Sequence, residues 1–167
     1  MEPWRRLDTA PEAEARTLLR TCCGSTRWVD RMVVRRPFGD QASLLASARE
    51  EWDALDPEDW REAFAHHPKI GDRDSLTRRF AATRHLSARE QKGVEAAGED
   101  VLGALAEANR VYEERFGYIF IVCATGRTAE EMLALLRARL GNDPATEIRV
   151  AAAEQAAITA LRLEGIT

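Results

Sequence analysis

Apolar residues return every three or four positions along most of the chain, with polar and charged residues between them. That is the period of amphipathic helices rather than strands. Ala15, Leu18, Leu19 and Cys22 form the first such set, preceded by Asp8 or Thr9, Pro11 and the acidic Glu12 and Glu14, with Gly24 suited to end the helix. Ser25 can cap a second helix carrying Trp28, Val29, Met32 and Val33, which stops at Pro37. Asp40 opens a third, with Leu44, Leu45, Ala48, Trp52 and Leu55 on one face, and Asp56-Pro57-Glu58 opens a fourth that buries Trp60, Ala63 and Phe64 and ends at Pro68. A short helix through Leu76 and Phe80 follows the loop Pro68–Asp72. Ser87-Ala88-Arg89-Glu90 and Thr128-Ala129-Glu130-Glu131 both have the spacing of a capping box. The first begins a long helix to about Phe116, closed by Gly117. The second begins a helix through Met132, Leu135, Leu136 and Leu140. Asp143-Pro144 opens a last helix through Ile148, Ala152, Ile158, Leu161 and Leu163.

Only Tyr118–Cys123, β-branched and aromatic, reads as extended, and one such stretch cannot make a sheet alone. The pattern predicts an all-α, single-domain bundle of about seven to nine helices with one short extended segment, spanning residues 1–167.

Composition agrees with a folded globular chain: 167 residues, 45% hydrophobic and 31% charged. The 24 Lys+Arg against 28 Asp+Glu leave a net charge of −4, and the cations are interleaved with acids. Nucleic acid is therefore not an expected partner, since phosphate binding needs a concentrated basic surface. No apolar run approaches the roughly 20 residues that span a bilayer. The start, Met1–Arg5, lacks the apolar core of a signal peptide, and the end, Glu164–Thr167, is no Ser-Lys-Leu address, so a cytoplasmic location is expected. Cys22, Cys23 and Cys123 are odd in number and two are adjacent, as suits free thiols in a reducing compartment. Trp28 and Trp52 suit either the core or a dimer interface.

Four places carry candidate chemistry. His66-His67-Pro68 ends a helix, where an imidazolium is favoured by the helix dipole; the same ring can exchange a proton with a ligand. Pro68 restricts the backbone of His67. Ser87–Gln91 is explained by capping, yet a helix N-terminus is also an anion site. The extended segment Phe120–Ala124 needs partners for its backbone groups, which side chains and water or a planar polar ligand can supply. Arg162, in the apolar run Ala160–Leu163, is either a snorkelling surface residue or a pocket cation for a carboxylate or carbonyl. His66, His67, Asp72, Asp74 and His85 lie near one another in sequence, but match neither HExxH nor a structural zinc spacing, so no metal is expected.

Taken in order, these pieces resemble the OHCU decarboxylase family, the 2-oxo-4-hydroxy-4-carboxy-5-ureidoimidazoline decarboxylases of urate breakdown. The resemblance runs through Arg27-Trp28, Arg36-Pro37-Phe38, Asp59–Phe64, His67-Pro68-Lys69-Ile70-Gly71, Ser87-x-x-Glu90-Gln91, Asn109-x-x-Tyr112, Phe116–Ile121, Gly126-Arg127, Arg139-Leu140-x-Asn142, Glu154 and Leu161-Arg162-Leu163. Where the family often has Phe-Gly-Phe-Pro-Phe, this chain has Phe116-Gly117-Tyr118-Ile119-Phe120.

The resemblance implies conversion of OHCU to (S)-allantoin and CO2 by a homodimer, with no metal or organic cofactor. It matches His67, Glu90 and Arg162 to the family's catalytic histidine, glutamate and arginine, with Arg149 a second arginine on the same terminal helix. It matches Pro68, Ser87, Ala88, Arg89, Gln91, Phe120, Ile121, Val122, Cys123 and Ala124 to positions that touch the substrate. The rival readings of the residues are a non-enzymatic helical interaction module, and a hydrolase or lyase acting on a related ureide.

Overall fold

A computed structural model describes residues 1–68 and 88–167, with the backbone alone over 88–99. The helix expected through Leu76 and Phe80, and the loop from Lys69 to Asp72, lie outside the described residues. Among the described residues there are eight α-helices and no strand: α1 (Pro3–Thr9), α2 (Glu12–Cys22), α3 (Thr26–Val34), α4 (Gln41–Asp53), α5 (Pro57–Ala65), α6 (Ala88–Phe116), α7 (Ala129–Leu140) and α8 (Pro144–Glu164). They form two compact units, Met1–His67 with Ile148–Thr167, and Pro68–Glu147.

In the first unit most helix starts follow the local chemistry. The Ser25 hydroxyl accepts from the Trp28 N–H at 3.3 Å and the Asp40 carboxylate from the Ser43 N–H at 2.7 Å, while Asp56 and Asp59 form a reciprocal capping box. The core contains Leu7, Leu19, Trp28, Met32, Leu44, Trp52, Phe64 and Leu163. Trp28 and Trp52 are core residues, 0% and 3% exposed. Each buried indole N–H needs an acceptor. Trp28 donates to the Ala48 carbonyl at 3.1 Å and Trp52 to the Ala152 carbonyl at 2.9 Å, which ties α8 to α4.

Helix α1 is absent from the sequence pattern, because a seven-residue helix with the single buried residue Leu7 has no period to detect. Asp8 lies inside it and does not cap α2. Its carboxylate accepts instead from the Phe38 and Gly39 N–H groups at 2.8 and 3.0 Å. The residue before α2 is Pro11, without a side-chain cap.

In the second unit, α6 ends at Gly117, whose φ of +81° is the left-handed conformation that glycine adopts without strain. Thr128 caps α7 by accepting from the Glu131 N–H at 3.1 Å. Leu105, Tyr112, Ile121, Val122 and Leu136 are buried. Residues 119–124 are neither helix nor strand. Among the described residues no helix is long and apolar enough to cross a membrane.

Candidate active site

The end of α5 brings the histidine pair to a cavity of about 390 Å³. Arg20 and Thr21 from α2, Ala63 from α5 and Arg162 from α8 line it, together with Gly24, His66 and His67. The backbone N–H groups of His66 and His67 complete the last turn of α5 by donating to the Ala63 and Phe64 carbonyls at 3.2 Å, so the helix end fixes their backbone.

Gly24 does more than follow a helix. A Cβ at this position would lie 2.4 Å from Cγ and 2.5 Å from Cβ of His66. Glycine is required because the root of a neighbouring imidazole occupies that space. Its φ is not positive, so the expectation of a helix-ending glycine gives way to one of close approach.

His67 is half-buried, and its Nε2 pairs with Oε1 of Gln155. Gln155 is 0% exposed. Its Nε2 donates to the Thr159 hydroxyl at 3.1 Å, and Thr159 donates to the Cys22 carbonyl at 3.4 Å. Arg162 reaches the same carbonyl with Nη1 at 3.5 Å. Burial pushes the neighbouring Cys23 thiol up to about 11, so it stays protonated near neutral pH. The resemblance had not marked Gln155 or Thr159. A signal was present: residues 155, 159 and 162 fall at i, i+4 and i+7, a polar stripe on a helix rich in alanine and leucine. Arg149 is an exposed residue of α8 and does not line the cavity.

The other expected site residues belong to the second unit. Pro68 is exposed. Ser87 and the side chains of Ala88, Arg89, Glu90 and Gln91 lie outside the described residues, as do Asp72, Asp74 and His85 of the zinc reading. The backbone of residues 88–91 forms the first turn of α6.

Ile121 and Val122 are buried, and Phe120, Cys123 and Ala124 are partly exposed. Arginines serve this segment's carbonyls. Arg139 Nη1 donates to the Ile121 carbonyl at 2.7 Å, and Arg127 Nε to the Cys123 carbonyl at 3.1 Å.

Arg139 is itself 6% exposed and sits over the Phe120 ring, 4.5 Å from its centroid. It pairs with Glu147, 0% exposed, through Nε at 2.7 Å and Nη2 at 2.6 Å. Tyr112 and Asn142 complete the carboxylate's shell with donors at 2.6 and 2.9 Å. Burial and the bond to Glu147 hold the Tyr112 phenol well above its ordinary pKa, so it remains a donor.

A cavity that exposes an imidazole and a guanidinium on an all-helical scaffold has the equipment of an acid–base enzyme for a small polar substrate. The chain belongs to the OHCU decarboxylase family, whose model matches residues 8–164. It is 37% identical over 145 residues to the uric acid degradation bifunctional protein TTL of Arabidopsis thaliana, covering 86% of this chain and 44% of that protein. It is 34% identical over 131 residues to the 2-oxo-4-hydroxy-4-carboxy-5-ureidoimidazoline decarboxylase of Amia calva, covering 78% of this chain and 74% of that one. The chain thus spans less than half of the plant relative and about three quarters of the fish relative. A crystal structure of OHCU decarboxylase in the presence of (S)-allantoin superimposes with a TM-score of 0.71 at 35% identity, covering 92% of this chain and 96% of that one.

Proposed function

We propose that this chain decarboxylates 2-oxo-4-hydroxy-4-carboxy-5-ureidoimidazoline to (S)-allantoin and CO2 in urate degradation, as a carboxy-lyase whose catalytic groups are His67, Glu90 and Arg162. Membership of the family supports the reaction. The observation that best supports the residues is that His67 and Arg162, from the end of α5 and the last turns of α8, line one cavity.

The chemistry needs an electron sink, and the substrate carries one. When the bond to the carboxylate carbon breaks and CO2 departs, the electron pair passes into the adjacent ring imine. A proton then has to reach one face of the new nucleophilic carbon, so that a single enantiomer forms. His67 donates that proton. Glu90 supplies a negative charge that favours the imidazolium and accepts from the hydroxyl or ureido N–H groups of the substrate. Arg162 stabilises negative charge growing on the ring oxygen. Pro68, Ser87, Ala88, Arg89 and Gln91, with the segment Phe120–Ala124, contact the substrate; in the latter, backbone groups read the polar edge of the ring. The active species is a homodimer in the cytoplasm. Three free cysteines suit a reducing compartment, and size-exclusion chromatography with light scattering tests the dimer.

The decisive experiment generates the labile substrate from urate in a coupled assay and follows chiral allantoin by circular dichroism. Removing a general acid typically costs about 10²–10⁴-fold. His67→Gln is expected to lose enantiomeric excess and rate on that scale, while keeping the wild-type fold. Near-normal formation of (S)-allantoin by this variant would remove His67 from the mechanism.

A further inference from the structure

The cavity at the end of α5 is lined by two arginines and two histidines, and by no aspartate or glutamate among the described residues. The two arginines are held differently. Arg162 Nη1 donates to the Cys22 carbonyl at 3.5 Å. Arg20 lies in the last turn of α2, two residues before that carbonyl, and its side chain has no hydrogen bond or ion pair among the described residues. The sequence explains why. Its helical neighbours three and four positions away are Arg16, Thr17, Cys23 and Gly24, so α2 offers it no acid. One turn earlier Arg16 pairs with both Glu12 and Asp30, and on α3 Arg31 and Arg35 pair with acids of α4. Arg20 therefore keeps a full set of guanidinium donors for a ligand, beside a cavity that holds the catalytic histidine.

We propose that Arg20 captures the carboxylate of the substrate, the group that leaves as CO2, and so makes binding selective for the anionic substrate over the neutral product. This rests on the reaction proposed above and adds a specificity-determining residue to it. The substrate enters as a carboxylate. The bond to the carboxylate carbon breaks, CO2 departs uncharged, and the electron pair left in the ring is neutralised by the proton delivered. Allantoin is uncharged, so Arg20 has an ionic partner before the reaction and none after it. Charge moves out of the carboxylate as the bond breaks, so a cation that gripped it firmly would stabilise the ground state more than the transition state. Arg20 is exposed, and water weakens such a pair. Capture therefore shows in KM rather than in kcat. Arg162, tied to the backbone, is the preorganised cation for charge that develops later on the ring oxygen.

The test joins turnover to binding. In the coupled assay Arg20→Gln is expected to raise KM roughly 5- to 30-fold, with kcat changed less than about twofold. Arg20→Glu should raise KM further. Arg20→Lys, which keeps the charge but not the planar fork, should recover part of the loss. Added salt should raise the KM of wild type more steeply than that of Arg20→Gln, in which the screened charge is gone. Calorimetry reads binding with two probes that share a ring, imidazole-4-carboxylate and the neutral imidazole-4-carboxamide. Wild type should prefer the carboxylate. Arg20→Gln should lose most of that preference and bind the carboxamide as wild type does, a split that a purely structural role would not produce. A wild-type KM in Arg20→Glu, equal loss of both probes in Arg20→Gln, or no carboxylate preference in wild type would each overturn the proposal and leave Arg20 as a cation favoured by the end of α2. Failure of the decarboxylase assignment shows itself separately, as no turnover by wild type, with the preference between the probes still deciding the role of Arg20.

Discussion

Each unit buries a polar network, and the two are built on opposite principles. In the second unit a full charge pair is removed from water: Arg139 and Glu147, 6% and 0% exposed, with Tyr112 and Asn142 closing the carboxylate's shell and one arginine N–H on the Ile121 carbonyl. In the first unit Gln155 and Thr159 are neutral and link the Cys22 carbonyl to His67. The charged network shapes backbone, because its arginine is the acceptor's partner in a segment that has no sheet to join. The neutral one holds a side chain in place, because Gln155 joins His67 to Thr159 and Thr159 joins both to the Cys22 carbonyl. Breaking the first should mainly cost stability, and breaking the second should mainly cost rate.

Arg139→Met is the largest expected effect. It leaves the Glu147 carboxylate buried with only Tyr112 and Asn142, and removing one partner of a buried pair typically costs about 3–5 kcal/mol. Urea unfolding measures it, with Thr159→Val beside it as the neutral reference. Equal losses in the two variants would erase the distinction between the networks. Replacing both charges, Arg139→Met with Glu147→Leu, should restore much of the stability while leaving the Ile121 carbonyl without its arginine. Activity in that double variant separates the shaping of the segment from the cost of a lone charge.

Gly24→Ala comes next. The new methyl would meet the root of the His66 side chain, which cannot swing away as a flexible tip could, and overpacking of this kind costs about 1–3 kcal/mol. A fall in the thermal midpoint, with weaker binding of allantoin by thermal shift, is the expected pair of results. An unchanged midpoint would mean that His66 yields freely.

The smallest effect is a slope with pH. Cys23 has its folded pKa raised from 9.0 to about 11 by burial, so the unfolded chain releases this proton first as pH rises. The stability it contributes is complete below about pH 9 and declines as pH climbs towards about 11. Cys23→Ala should flatten unfolding free energy across that interval; an unaltered slope would assign the alkaline loss to other groups.

Much of this fold is legible in the chain because helix starts are local events. Ser25, Asp40, Asp56 and Thr128 each accept or box as their spacing predicts, and Gly117 closes α6 with a positive φ. Helix α1 was hidden because one buried leucine has no period. Gly24 was legible as a glycine but not for its reason, since the imidazole that needs the space arrives from another helix. His67 and Arg162 carried a family pattern, whereas Gln155 and Thr159 read as ordinary polar residues among alanines. Arg139 and Asn142 lay in a recognisable motif, but nothing local marks Glu147 as their partner.

Helical periodicity, caps and stops were therefore settled by residues within a turn or two of each other, since those interactions close over a few residues of backbone. The class of fold and the candidate chemistry followed from that order of elements and residues. Which side chains share a cavity, which charge is buried and which way a hydrogen bond points were decided only by packing. The contact of His67 with Gln155 joins positions 88 apart, and Gln155 is held in turn through Thr159 to Cys22, on yet another helix. A proton's place on a ring depends on partners that only the folded chain brings within reach.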